Sequence, residues 1–201
     1  FWALQLGAPS SVECLEQIGG TLVSPPTQAR IRYNFPARKA KVYKGMTRKF
    51  APVSLYWYEG CQKTDTGYIN VPEQWSSLPA EATRHFGLNG TLFIGTKGML
   101  VCGCYGELPR LLPEELARDY TGPMPYLERL TNSYTDWMRA AKEGIPACSN
   151  FEYSVPLTEM VLLGNVAVRT GQKIEWDNRK QMITNVSEAN QYLTRDYRHG
   201  W

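Results

Sequence analysis

Residues 28–35 alternate without a break. Ala29, Ile31, Tyr33 and Phe35 fall on one side of an extended chain, and Arg30, Arg32 and Asn34 fall on the other. A period of two predicts a half-buried strand, and Pro36, which has no N–H for the ladder, stops it. Val53-Ser54-Leu55-Tyr56-Trp57-Tyr58 alternates again and ends at Glu59-Gly60. Two such strands, joined by a long basic loop around Gly45, predict an antiparallel sheet with one face open. Thr91–Ile94 and Met99–Cys102 are apolar runs flanking Gly95-Thr96-Lys97-Gly98, which reads as a hairpin. Their nearly continuous apolar character predicts a mid-sheet position covered on both faces. Val12–Leu15, Lys173–Trp176 and Met182–Thr184 are weaker strand signals.

Helical periods follow. Tyr134, Trp137, Met138 and Ala141 are spaced i, i+3, i+4, i+7, which predicts an amphipathic helix over Thr131–Glu143 that buries those residues. Thr131, Asn132 and Ser133 offer caps, and Gly144 ends it. Pro156–Thr170 is apolar almost all round and predicts a central helix, with Pro156 in its first turn and Gly171 just past its end. Gly164 inside that helix costs ~1 kcal/mol relative to Ala, which predicts close approach of another backbone. Ser187–Tyr197 reads as a terminal helix. Phe1–Gly7 reads as the last turn and a half of a helix closed by Gly7, whose front half is expected upstream of Phe1. Residues 62–90 predict an irregular insertion with a helical piece near Pro79–Phe86. The sum is an α+β fold: a largely antiparallel or mixed sheet with helices packed on one face, taken as a single domain over residues 1–201.

A chain of 201 residues, 43% hydrophobic and 20% charged, buries roughly 70% of its unfolded surface and folds without disulfides or metals. Its formal charge of +3 is too small for a nucleic-acid protein, which carries a clustered basic stripe. The densest basic run is Arg38–Lys44, followed by Arg48-Lys49. It is either a solvated loop or a patch for a phosphate or an anionic sugar, and no interleaved aromatics make it a nucleic-acid platform. No apolar run reaches the ~18 residues that span a bilayer. Five cysteines, an odd number without regular spacing, argue against a disulfide framework. Cys102-Gly103-Cys104 lacks the second pair or the histidines of a zinc site. His85 and His199 are the two histidines. The sequence holds no G-x-S-x-G, H-E-x-x-H, Walker loop or G-x-G-x-x-G, so no complete active site is legible in its residues.

Three stretches, Phe1–Gly7, Asn89–Pro113 and Trp137–Trp201, carry a resemblance. The most specific parts are Leu157-Thr158-Glu159-Met160-Val161-Leu162-Leu163-Gly164-Asn165 and Glu188-Ala189-Asn190-Gln191-Tyr192-Leu193. They are similar to the C-terminal half of Gfo/Idh/MocA-type NAD(P)-dependent oxidoreductases, in the branch common among Bacteroides-like bacteria. The basic loop 38–49 and the insertion 64–86 lie outside the match. The resemblance implies an upstream Rossmann domain that holds NAD or NADP. It places the family's catalytic lysine and histidine before Phe1, and implies no catalytic residue, bound cofactor or metal in this chain alone.

The resemblance also places the segment Cys148–Tyr153, which enters the long helix, on the nicotinamide side. There Asn150 and Tyr153 can hydrogen-bond sugar hydroxyls, and Tyr153 can stack on a pyranose ring. Equally, Asn150 can cap a turn and Tyr153 can pack in the core. Tyr105 and Glu107, in the loop after the hairpin, are further substrate-binding candidates or an ordinary turn. Glu159 in the long helix needs a partner, for instance Arg169.

The expected function is the substrate-binding and oligomerisation domain of a sugar or polyol oxidoreductase. Its partners are its own Rossmann domain, a sugar-like small molecule and further copies, joined through an apolar sheet face; nucleic acid and membrane are not expected. The alternatives are the same domain of an NAD-dependent glycoside hydrolase, or a stand-alone carbohydrate-binding module with Tyr56, Trp57 and Trp75 as its platform. A bacterial cytoplasmic or periplasmic location fits either.

Overall fold

A strand that is apolar on alternate residues must press one face against something, and this requirement organises the chain. The computed structural model describes residues 1–21, 23–42, 45–122, 127 and 129–200. Tyr43 and Lys44 of the basic run, and Trp201 at the end of the matched tail, fall outside them. The sequence reading takes the chain as one piece. Its contacts gather in two units, Phe1–Glu59 with Arg129–Trp201, and Gly60–Glu128.

The first unit opens with strands β1 (Ser11–Ile18), β2 (Gln28–Phe35), β3 (Arg38–Lys41), β4 (Thr47–Phe50) and β5 (Val53–Glu59). The second contains β6 (Gln62–Thr64), β7 (Gly67–Ile69), α1 (Glu73–Ser76), α2 (Ala80–Thr83), β8 (Gly90–Ile94), β9 (Met99–Gly103), β10 (Arg110–Leu112) and α3 (Glu114–Arg118). The chain then completes the first unit with α4 (Ser133–Glu143), α5 (Phe151–Thr170), β11 (Ile174–Asp177), β12 (Met182–Ile183) and a 3₁₀ turn at Ser187–Tyr192. The fold is α+β, and the strand pairings among the described residues are antiparallel.

The main sheet of the first unit has the order β12-β11-β1-β2-β5, and α5 lies across β1 and β2. The alternation of β2 is realised: Ala29, Ile31, Tyr33 and Phe35 are buried, and the residues between them are half exposed. They meet Met160, Leu163, Gly164 and Ala167 of α5 in one core with Val12, Ile174 and Ile183. Fully burying a side chain such as Phe35, Leu163 or Ile174 stabilises the fold by about 1.5–3 kcal/mol. The close approach at Gly164 is real, but its agent is a side chain. A Cβ there would overlap the Tyr33 hydroxyl and stand 3.0 Å from Tyr33 Cζ.

Several expectations are corrected. The helix read from Pro156 begins five residues earlier, at Phe151, because Asn150 caps it and the chain accepts Pro156 inside the helix. The amphipathic helix α4 does not bury its apolar stripe. Tyr134 and Trp137 are 79% and 70% exposed, while Asp136 is buried at 4%. Gly7 is left-handed as expected, at φ +65°, but the turn at Phe1–Gly7 already closes on Gln5. Gln5 has φ +49°, and the bonds Leu6 N–H to Phe1 O and Gln5 N–H to Trp2 O form the paired pattern of a helix C-terminus. The basic loop is an ordered hairpin, β3–β4. The terminal helix is a 3₁₀ turn held by Asn190, whose amide bonds the backbone of Ile183 in both directions.

In the second unit, β10-β9-β8 form a three-stranded sheet over a small core of Trp75, Ala82, Val101 and Leu112. The predicted hairpin β8–β9 is present. It is not covered on both faces, since β8 is an edge strand and Ile94 is 61% exposed.

Candidate functional site

The predicted site residues fall into two pairs, one in each unit. Asn150 and Tyr153 share the first turn of α5. Asn150 Oδ1 accepts the Tyr153 N–H at 3.1 Å, and its Nδ2 donates to Ala147 O at 2.8 Å. An asparagine so placed is a helix cap, and it satisfies a donor the helix leaves open. Tyr153 is half-buried, with its ring edge against Phe1 at a centroid distance of 6.0 Å. Phe151, two residues before it, is 84% exposed.

In the second unit, Tyr105 and Glu107 belong to the turn after β9. Glu107 Oε2 accepts the Tyr105 N–H at 2.9 Å, and Glu107 O accepts the Gly103 N–H at 3.0 Å. The carboxylate folds back onto Gly103, where a Cβ would overlap it. Tyr105 itself is 93% exposed. A shallow cleft of about 330 Å³ in this unit is lined by Arg110, Leu111, Glu114, Ala117 and Arg118, and none of the predicted site residues lines it.

One residue that the sequence reading missed holds the first pair's surroundings in place. Asp136 Oδ1 accepts from Arg139 at 2.8 Å and Oδ2 accepts the Cys148 N–H at 2.8 Å, so α4 is tied to the segment that leads into α5. The Arg139 bond, and after it the Cys148 amide, hold the Asp136 carboxyl below its ordinary value of 3.8. A carboxyl depressed in this way stabilises the fold fully above the unfolded value, and that contribution is lost as the pH falls through the lower folded value. Acidification below about pH 4 is therefore expected to loosen this tie. Asp136→Asn should flatten the acid limb of the melting temperature against pH, and an acid limb unchanged by the substitution would exclude the role. Residue-type spacing on α4 hid this, because an i, i+3 Asp–Arg pair on a helix ordinarily reads as a solvated surface pair.

Glu159, expected to need a partner such as Arg169, instead accepts from the Trp176 indole N–H at 3.1 Å. Arg169 lies over the Tyr192 ring at 5.5 Å.

The proposed aromatic platform does not assemble. Trp75 is buried at 7% in the second unit's core. Tyr56 and Trp57 are consecutive on β5, so they point to opposite faces. Tyr56 lies opposite Arg32 on the open face, while Trp57 lies opposite Ile31 on the core side and donates its indole N–H to Glu59 at 2.9 Å.

The open sheet face is not apolar, contrary to expectation. It carries Glu13, Arg32 and Tyr56 in one row across β1, β2 and β5, and Glu16, Arg30 and Tyr58 in the next. Both arginines pair with their glutamates. Arg30 lies 6.0 Å from the Tyr58 ring centroid. Bonding to Glu13, and then to Tyr56, raises the Arg32 guanidinium further above its ordinary value. The exposed apolar surface lies on the helices instead: Tyr134, Trp137 and Met138 on α4, and Phe151, Val155 and Leu162 on α5.

Among the described residues, no group of three or more His, Cys, Asp or Glu is placed to hold a metal ion, and no helix is long and apolar enough to cross a membrane. A scan against protein-family models finds no match to this chain, and a search of curated proteins finds none either.

Proposed function

We propose that this chain is the substrate-binding and oligomerisation domain of an NAD(P)-dependent oxidoreductase of the Gfo/Idh/MocA type, acting on a sugar or polyol. The observation that carries the reading is the exposed apolar surface of α4 and of α5, the helix whose first turn holds Tyr153 after its cap Asn150. Trp137 and Phe151 are 70% and 84% exposed, and Val155 and Leu162 are each 54% exposed. Phe151, Val155 and Leu162 fall on one side of α5 by helical spacing, and exposed apolar side chains sharing a helix face mark an interaction surface more often than a solvent face. A dinucleotide-binding domain seated there would exclude water from the turn that presents Tyr153.

In that arrangement Asn150 fixes the first turn of α5, and Asp136 holds the approach to it. The Tyr153 hydroxyl, which has no hydrogen-bond partner among the described residues, binds a substrate hydroxyl. When bound on the partner domain, the nicotinamide supplies or accepts the hydride. The lysine and histidine that move the proton in enzymes of this type are expected outside this chain. Copies associate through the Glu–Arg–Tyr face, whose alternating charges are self-complementary.

Calorimetry of the chain with NAD and NADP tests the first part: no heat of binding is expected, and micromolar affinity for either would overturn it. The second part is read on the protein that joins this domain to its dinucleotide-binding partner. Net NADH formed from a free sugar or polyol is expected there. Cleavage of an aryl glycoside without net reduction would instead assign it to the NAD-dependent glycosidases.

A further inference from the structure

The positive surplus of this chain sits in one place. Residues 38–49 contain six Lys and Arg and no Asp or Glu, and without those six the formal charge of +3 becomes −3. The structure sorts the five of these cations that it describes by face. In the antiparallel β3–β4 hairpin, Lys39 lies opposite Lys49, Lys41 opposite Thr47, Ala40 opposite Arg48 and Arg38 opposite Phe50. Directly opposed residues share a face, and neighbours along a strand alternate. Lys39, Lys41, Thr47 and Lys49 therefore form one side, and Arg38, Ala40, Arg48 and Phe50 form the other.

The arginine side is occupied. Arg38 and Arg48 lie 5.2 and 5.7 Å from the Phe50 ring centroid. Arg38 also donates to the carbonyls of Leu4, Gln5, Pro36 and Ala51. The lysine side is exposed at all four positions, and no carboxylate among the described residues pairs with any of its lysines. Lys39 and Lys49 repel directly across the ladder, which weakens a two-stranded hairpin that is already marginal.

We propose that the Lys39–Lys41–Lys49 face binds a carboxylate-bearing polysaccharide. Lysines two apart on one strand stand roughly 6.6–6.8 Å apart, with a third directly across, so three compact ammonium charges face outward together. A row of carboxylates laid along them replaces a standing repulsion with attraction. Among its described residues the face holds no aromatic side chain on which bases stack and no arginine fork for phosphate, which argues against nucleic acid. Its described residues include no apolar side chain to enter a bilayer. Protein interfaces centre on aromatic and arginine anchors and are depleted in lysine. A flexible, hydrated acidic glycan needs none of these. The inference goes beyond the oxidoreductase reading and does not depend on it, because binding requires neither cofactor nor turnover.

The test uses the chain as it stands, with polygalacturonate as the probe and neutral dextran, single-stranded oligo(dT) and phosphatidylserine vesicles alongside. Polygalacturonate is expected to bind at low salt and to be released as salt rises, and dextran is expected not to bind. The combined substitution Lys39→Gln, Lys41→Gln and Lys49→Gln should lower that affinity about tenfold or more and flatten its salt dependence, since three counterion-releasing contacts are gone. Its melting temperature should match or exceed that of the parent, because the Lys39–Lys49 repulsion is removed. Arg48→Gln, on the other side, should change affinity by less than about twofold. Unaltered affinity in the triple variant, an equal loss from Arg48→Gln, or tighter binding of oligo(dT) or vesicles would each overturn the proposal.

Discussion

Gly164→Ala should lower the stability of the first unit by about 2 kcal/mol, although alanine is the better helix former. Intrinsic propensity favours the substitution by about 1 kcal/mol. Against this, the new Cβ would overlap the Tyr33 hydroxyl and stand 3.5 Å from Ile31 Cδ1. Tyr33 is 3% exposed, and its burial pushes the phenol up to about 12, so its ring is held neutral within the core. Overpacking of a tight core costs about 1–3 kcal/mol, and an overlap against a locked ring lies at or above the top of that range. For a chain of this size the loss should appear as a fall in melting temperature of about 4–8 °C. Tyr33→Phe removes the offending oxygen, so the double variant should be more stable than Gly164→Ala alone. The two substitutions touch the same contact and are expected to be non-additive. A higher melting temperature for Gly164→Ala with Tyr33 intact would show that α5 and β2 are not packed this closely.

Arg38→Ala should cost about 2–4 kcal/mol, read as a shift in the urea midpoint. The guanidinium bonds four carbonyls on three segments: Leu4 and Gln5 in the first turn, Pro36 after β2, and Ala51 before β5. The Leu4 and Gln5 carbonyls are partly buried, so losing their donor is costly, and the leading turn would also lose its attachment to the sheet. Burial lowers the Arg38 guanidinium below its ordinary value, yet a guanidinium remains charged throughout the working range. Arg38→Lys should rescue little, because a single ammonium cannot span this fork of acceptors. Because the first turn also supplies Phe1 to the ring of Tyr153, hydrogen exchange should rise at residues 1–6 and at the start of α5 together. Wild-type stability in Arg38→Ala would reduce the clamp to a surface contact.

The sequence misread Arg38 as part of a solvated or anion-binding run, and the reason is general. A cation's neighbours along the chain do not reveal whether carbonyls from distant segments converge on it. The same limit applied to α4. Its apolar spacing marked a helix and Gly144 its end, and of the three caps on offer, Thr131, Asn132 and Ser133, the structure uses Asn132. Spacing alone, however, does not say which face the rest of the protein will cover, and here the buried face holds Asp136. In α5 the sequence places Pro156 where a first-turn proline fits, but the asparagine ahead of it, Asn150, sets the start. Capping decides where a helix starts, whereas a proline in the second turn removes one hydrogen bond that packing replaces. Of the candidate residues, the sequence offered Asn150 as a cap, and the structure makes it the cap of α5. The support of the helix-entry segment by Asp136, and the separation of Tyr105 and Glu107 into another unit, were not legible.

What the chain's own order of residues determined was local and periodic. It set the alternation that makes β2 a half-buried strand, the turn glycines that end α4 and α5, and the hairpin around Gly95–Gly98. These follow from backbone geometry within a few residues. The tertiary structure alone decided the pairing across strands. Glu13 and Glu16 are three apart and would point to opposite faces of a regular strand. The irregularity between Cys14 and Glu16 shifts the register so that they face Arg32 and Arg30 on the same side. An extra residue in one strand changes nothing in the pattern read along that strand. Its effect exists only against a partner whose register is set by the other face's burial under α5.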